Sequence, residues 1–172
     1  APTLSVRPAS GDEDSAISLN IAAALSDGSE TLSVTIGGVP LGAALSAGIV
    51  NPDGSVTLTQ AQLAGLTITP AADFNGSFDL SVTATSTDGS DTAAVTALLP
   101  VSVAAVNDAP ATDGLAVVTA PDAAVAGALV ATDADGDALS FALASPASNG
   151  TAVVSADGGY VYTPNAAYVG LD

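Results

Sequence analysis

The chain has 172 residues, 18 of them acidic and one, Arg7, basic, which gives a formal net charge of −17. Phosphate recognition needs clustered Lys and Arg, so this balance excludes nucleic acid as a natural partner and argues against anionic membrane surfaces. The sequence contains no Cys, His, Met or Trp, which removes disulfides, triads and dyads built on His or Cys, and sites for soft metals.

High charge with few aromatics often marks disorder, yet 48% of this chain is hydrophobic. Much of that is alanine, so the core should be thin and built from Val, Leu and Ile. No run approaches the roughly 18 apolar residues that a membrane helix needs, and no leader pattern opens the chain. Period-two alternation recurs from end to end, while helical periodicity hardly appears. Ile17, Leu19 and Ile21 alternate first, followed by Leu32, Val34 and Ile36, then Leu66 and Ile68. Phe78, Leu80 and Val82 make the next strand, and the longest runs through Val95, Ala97, Leu99, Val101 and Val103. Pro100 interrupts that last strand and predicts an edge or a bulge there. Turn signals punctuate the series: SDGS, NPDGS, DFNGS and TDGSD. About seven short strands per 100 residues, with no room for helices, predict an all-β fold of the two-sheet sandwich type.

The chain also matches itself. Ala1-Pro2 recurs 108 residues later as Ala109-Pro110 in VNDAP, and TPAADFNG (69–76) recurs 94 residues later as TPNAAYVG (163–170). SDGSETLSVTI aligns with DADGDALSFAL as an acidic loop followed by an alternating strand. The expectation is therefore two tandem domains, 1–107 and 108–172, the second about 14 residues shorter inside and lacking its last two strands. Such a sandwich would expose core and an unpaired edge, to be completed by sequence outside this stretch, by another domain or by a neighbouring molecule. A domain inserted after Gly170 would be one such arrangement.

The acidic loops carry the chemistry. In TDADGD, Asp133, Asp135 and Asp137 occupy alternate positions with Gly136 permitting a tight turn. Like charges about 4 Å apart repel by roughly 1 kcal/mol in water and by more near a protein surface. Calcium takes six to eight oxygens in flexible geometry, and carboxylates one residue apart can supply several from one loop. Position 12 of this loop is Ala144, so it is not an EF-hand. GDEDS (Asp12, Glu13, Asp14), SDGSE (Asp27, Glu30) and TDGSD (Asp88, Asp91) are further candidates. Asp53 and Asp157 each sit in a DG turn between strands and read as turn residues.

TDADGDALSF, TPNAAYVG, TSTDG before a long strand, and VNDAP resemble the cadherin-like, VCBS-type repeats of large bacterial RTX adhesins and related surface proteins. The resemblance implies Ig-like sandwiches strung end to end, with calcium at and near the joints stiffening an array that carries an adhesive tip. It implies secretion to the cell surface and neighbouring repeats of the same chain as partners, without membrane insertion. Carried over, Asn107 and Asp108 would be junction ligands, completed by Asp133, Asp135 and Asp137. Glu13, Asp14, Asp27 and Glu30 would serve the first domain's other end, with Asp88 as a further ligand. The second domain reads TAPDAAV where the first reads GDEDSAI, keeping Asp122 but no Glu, which weakens the case for a full coordination shell at the joint. A catalytic role has little to draw on: a carboxylate pair could serve glycoside hydrolysis, but aromatics make up 3% of the chain. Phe74 and Tyr168 hold one repeat position, as motif residues would, and Tyr160 and Tyr162 alternate on one strand. Rival readings are a ligand-binding or split domain supporting a binding insert, and accessory domains of a large secreted enzyme.

Overall fold

The computed structural model describes residues 1–26 and 30–172. It divides into two compact units, Ala1–Val106 and Asn107–Asp172. In chain order the first unit contains β1 (Thr3–Arg7), β2 (Ala9–Asp12), β3 (Ile17–Ser18), β4 (Asn20–Ala24) and β5 (Thr31–Gly37). Short strands β6 (Ala44–Leu45), β7 (Ile49–Val50), β8 (Val56–Thr59) and β9 (Thr67–Thr69) follow, then the long β10 (Gly76–Asp88) and β11 (Asp91–Ala104). One 3-10 turn, Gln60–Leu63, is the helical element among the described residues of this unit.

Two layers result. One sheet runs β2-β11-β10-β5-β8-β7; facing it are β1-β4 and β3-β9-β6, joined through the nearly continuous β3 and β4. Alternation drives the packing, because successive strand residues point to opposite faces. Ile17, Leu19, Ile21 and Ala23 from one layer meet Val34, Ile36, Leu80, Val82, Ala84, Leu99, Val101 and Val103 from the other, all buried. The register β10–β11 runs without a break from Gly76↔Val103 to Asp88↔Asp91, placing its ends about 40 Å apart at the rise of an antiparallel strand.

Two prolines mark changes of partner. Pro8 separates β1, which pairs with β4, from β2, which pairs in parallel with β11. Proline lacks the amide that a continuous ladder would require, so the first strand is divided between the layers at that residue. Pro100 lies just before β11 begins its pairing with β2 at Val101, on the stretch where β11 is still an edge strand, as its missing N–H demands.

The second unit contains β12 (Val125–Ala128), β13 (Gly150–Val154) and β14 (Gly159–Pro164), in one sheet of order β12-β14-β13. Its register repeats that of the first. Val125↔Tyr162 stands for Ile17↔Ile68, and Thr151↔Thr163 stands for Ala44↔Thr69. The shorter span of unit 2 falls where unit 1 has β7, β8 and the 3-10 turn. Tyr160 lies over Gly127 and Tyr162 over Gly150, where a Cβ would meet the rings at 2.6–2.8 Å; the tyrosines thus fill the space those glycines leave. The alternating strand expected in DALSFAL does not form: residues 138–143 are outside any strand. In unit 1 the matching β5 is paired by β10, and unit 2 has no strand corresponding to β10.

Candidate functional site

The acids of unit 1 separate to its two poles. Because β2 runs parallel to β11, the turn after β2 arrives beside the point where the chain leaves the sheet. Glu13 N donates to Ala104 O at 2.9 Å. The Glu13 side chain is 2% exposed; its Oε1 accepts from Val106 N at 2.7 Å and its Oε2 from Asn75 Nδ2 at 3.4 Å. Burying a carboxylate is costly unless it is hydrogen-bonded or paired. Here a neutral amide and a backbone N–H supply the bonds, and no cationic side chain does.

Asp14 follows at φ 54 and Asp73 sits at φ 56, left-handed conformations that Asp tolerates better than most residues. Asp14 Oδ1 accepts from Asp73 N at 3.1 Å, tying the β2–β3 turn to the β9–β10 loop. The two carboxylates also converge, with oxygens within 4.8 Å of one another. Asp73 and Asn75 are functional candidates that sequence reading placed in a turn signal only.

The same tie recurs in unit 2. Asp122, 108 residues after Asp14, has φ 58, and Ala167, 94 residues after Asp73, has φ 56. Asp122 Oδ1 accepts from Ala167 N at 2.7 Å. A bond preserved between repeats where Ala replaces Asp73 and Pro121 replaces Glu13 needs no ion. Asp14 and Asp122 are therefore clasps between two loops in both units, and only unit 1 surrounds its clasp with further carboxylates.

The opposite pole of unit 1 holds Glu30 and Asp88. Asp88 ends β10 directly across from Asp91, and Thr31↔Thr87 pairing sets Glu30 one step from Asp88. Like charges facing across strands are destabilising. Glu30 Oε2 is buried with no hydrogen-bond partner among the described residues. Asp27 lies outside the described residues. The expectation that Glu13 and Asp14 share an end with Glu30 does not hold: they lie at opposite ends of the β10–β11 ribbon, because the pairing of β2 with β11 carries Glu13 to the chain's exit.

In unit 2, Asp133 organises the TDADGD loop. Its Oδ1 accepts from Asp135 N and Asp137 N, both at 3.1 Å, and its carbonyl from Gly136 N at 3.3 Å. Gly136 has φ 76, the conformation that favours glycine. Asp135 Oδ2 accepts from Asp108 N at 2.7 Å, and the Asp108 and Asp135 carboxylates approach within 4.8 Å. Asn107 Nδ2 donates to Asp108 O at 3.0 Å. Asp108 and Asp135 are thus brought together, with Asp133 and Asp137 on the same loop as Asp135.

Asp53 and Asp157 behave as turn residues. Asp53 Oδ1 accepts from the Ser55 hydroxyl at 2.7 Å and amide at 3.0 Å, and these bonds hold its carboxyl below the ordinary value. Asp157 Oδ1 accepts from the Ser155 hydroxyl at 2.5 Å and Gly159 N at 3.2 Å, with the same effect.

A family model described as bacterial Ig domain matches residues 1–97 and 107–172. Among solved structures the chain is similar to a chimeric titin Z1Z2 functionalized with a KLER exogenous peptide from decorin, at 15% identity and TM-score 0.34, covering 97% of this chain and 83% of that one. It is similar as well to the titin domains z1z2 in complex with telethonin, at 16% identity and TM-score 0.33, covering 97% and 82%. No curated protein matches.

Proposed function

The chain belongs to the bacterial Ig domain family, and from that premise we propose that it is a calcium-stiffened spacer of a large secreted bacterial surface adhesin. The observation that carries this reading is the convergence of carboxylates in two places. Asp14 meets Asp73 and Asp108 meets Asp135 in a chain whose single basic side chain is Arg7. Within 4.8 Å of one another, two like charges repel by about 1 kcal/mol in water and by more at the dielectric of a protein surface. A divalent cation reverses the sign of that term.

The donor set suits calcium. All candidate ligands are carboxylate, amide or carbonyl oxygens, which favours a hard cation, and the irregular loops suit its flexible geometry better than magnesium's octahedron. In unit 1, Glu13, Asp14 and Asp73 would hold the ion; in unit 2, Asp108, Asp133, Asp135 and Asp137 would. Calcium would supply charge neutralisation and cross-linking of segments distant in sequence, so its binding energy becomes folding and rigidity energy. Glu13 is bonded to the backbone of the residue preceding Asn107, so ordering this turn orders the segment that leaves unit 1.

Calorimetric titration of the chelated protein with calcium tests the reading. We expect saturable binding, part of it lost in Glu13→Gln and a different part in Asp135→Asn. Absence of binding at millimolar calcium would overturn it.

A further inference from the structure

Asn75 and Gly76 answer to two different demands. Gly76 opens β10 at φ 130, and Gly170 holds the same repeat position at φ 159, so the loop geometry calls for glycine in both units. Asn75 answers instead to Glu13, whose Oε2 accepts from its Nδ2 at 3.4 Å. In unit 2, where Pro121 stands for Glu13, Val169 stands for Asn75, so the side chain and its partner are lost together. Of the two units, only the first places Asn directly before Gly in this loop.

That pair is chemically labile. With no Cβ on residue 76, its backbone nitrogen can approach the Asn75 carboxamide. An N–Cγ bond forms, the Cγ–Nδ2 bond breaks, and the Gly76 N–H proton leaves with Nδ2 as ammonia. Water then opens the succinimide. Cleavage of N–Cγ gives an aspartyl residue and cleavage of the backbone C–N bond an isoaspartyl one, each with a mass gain of about one dalton.

The six asparagines differ in their access to this route. Asn51 precedes Pro52, whose nitrogen carries no proton. Asn20, Asn107 and Asn165 precede Ile21, Asp108 and Ala166, whose Cβ atoms crowd the closing ring. Asn149 does precede a glycine, but its N–H donates to Asp172 Oδ1 at 2.9 Å and its carbonyl accepts from Asn165 N at 2.8 Å. Gly150 itself lies under the Tyr162 ring. Asn75 is exposed, and Gly76 stands at the end of the β10–β11 ladder, where local opening costs least.

We propose that Asn75 is a site of spontaneous deamidation and that the change loosens the exit pole of unit 1. The product has no side-chain donor. Glu13, 2% exposed, keeps its bond from Val106 N but meets a second carboxylate where it had an amide, and like charges repel more strongly near a protein surface than in water. The protein alone cannot reverse the step, so molecules accumulate it with age. Calcium plays no part in either stage, and every measurement is made in excess chelator.

Mass spectrometry of the folded chain, incubated in mildly alkaline buffer well below its Tm, tests the modification, with fragmentation locating the mass gain. The free peptide of residues 71–77 sets the unconstrained rate. We expect conversion at Asn75 within about a hundredfold of the peptide rate, as opening at a strand end allows, and slower conversion at Asn149. Asn75→Gln should abolish the gain at that position. A folded chain that converts Asn75 more slowly than this, or converts Asn149 faster, would overturn the assignment. Thermal melts test the consequence. Asn75→Asp should lower Tm by about 5 °C in the otherwise unchanged chain. The same change should cost less than half as much in a Glu13→Gln background, where no carboxylate faces the new one. Shifts that agree within a factor of two, or no shift in the unchanged chain, would overturn the link to the exit pole.

Discussion

Replacing Glu13 by Ala probes the exit pole of unit 1 most sharply. Glu13 is 2% exposed and accepts from Val106 N and Asn75 Nδ2, contacts that bridge 93 and 62 residues of chain. A hydrogen bond to a charged group contributes about 1.5–3 kcal/mol. Val106 is 45% exposed, so water can reach its amide after truncation, and the lower end of that range applies. A unit of this size unfolds with an entropy near 0.2 kcal/mol/K, so a loss of about 1.5 kcal/mol lowers Tm by roughly 7 °C. The assay is a thermal melt of wild type and E13A by circular dichroism in excess chelator, so that only protein contacts are compared. A change under about 2 °C would refute the claim that Glu13 anchors the exit segment.

Further outcomes follow from the same contacts. Asp122→Ala removes the loop clasp to Ala167 N and strains a left-handed backbone, and should destabilise unit 2 by about 1–2 kcal/mol with or without calcium, as read from denaturant midpoints. Gly48→Ala should lower the stability of unit 1, because φ is +109 there and the new Cβ would stand 2.4 Å from Val56 Cγ1; the same melt reads it. Asp53 is depressed below its ordinary value by the Ser55 hydroxyl and amide. A depressed folded value means its contribution is present above the unfolded carboxylate pKa near 4 and is lost as pH falls through the folded value. The stability difference between wild type and Asp53→Asn should therefore hold at pH 6 and vanish at about pH 2, checked by urea unfolding at both.

Much of the first unit was legible because alternation needs only one buried face. Ile17, Leu19 and Ile21, and Leu80, Val82 and Leu99, all lie in the core their spacing indicates. The poles were harder. That Glu13 stands at the exit depends on Pro8 dividing the first strand and on parallel pairing 92 residues away, neither of which a local pattern encodes. Asp73 was hidden inside an ordinary turn signal; its recurrence as Ala167, with nearly the same φ and its N–H donating to Asp122 as that of Asp73 does to Asp14, shows that the loop geometry and not the carboxylate is the repeated feature. Residues 138–143 show the converse. They carry a strand pattern without being a strand, because pairing supplies what propensity alone does not.

The central claim is that cations offset the converging carboxylates, and melting the chain in 1 mM calcium, in 1 mM magnesium and in excess chelator tests it most directly. For a site with Kd near 0.1 mM, as extracellular modules show, 1 mM calcium adds about 1.4 kcal/mol per site, or roughly 6 °C for a unit of this size. The account predicts a rise of at least that much in calcium over both chelator and magnesium, diminished in Asp135→Asn. Superimposable melts in all three solutions would contradict it and leave the aspartates as clasps and turn residues.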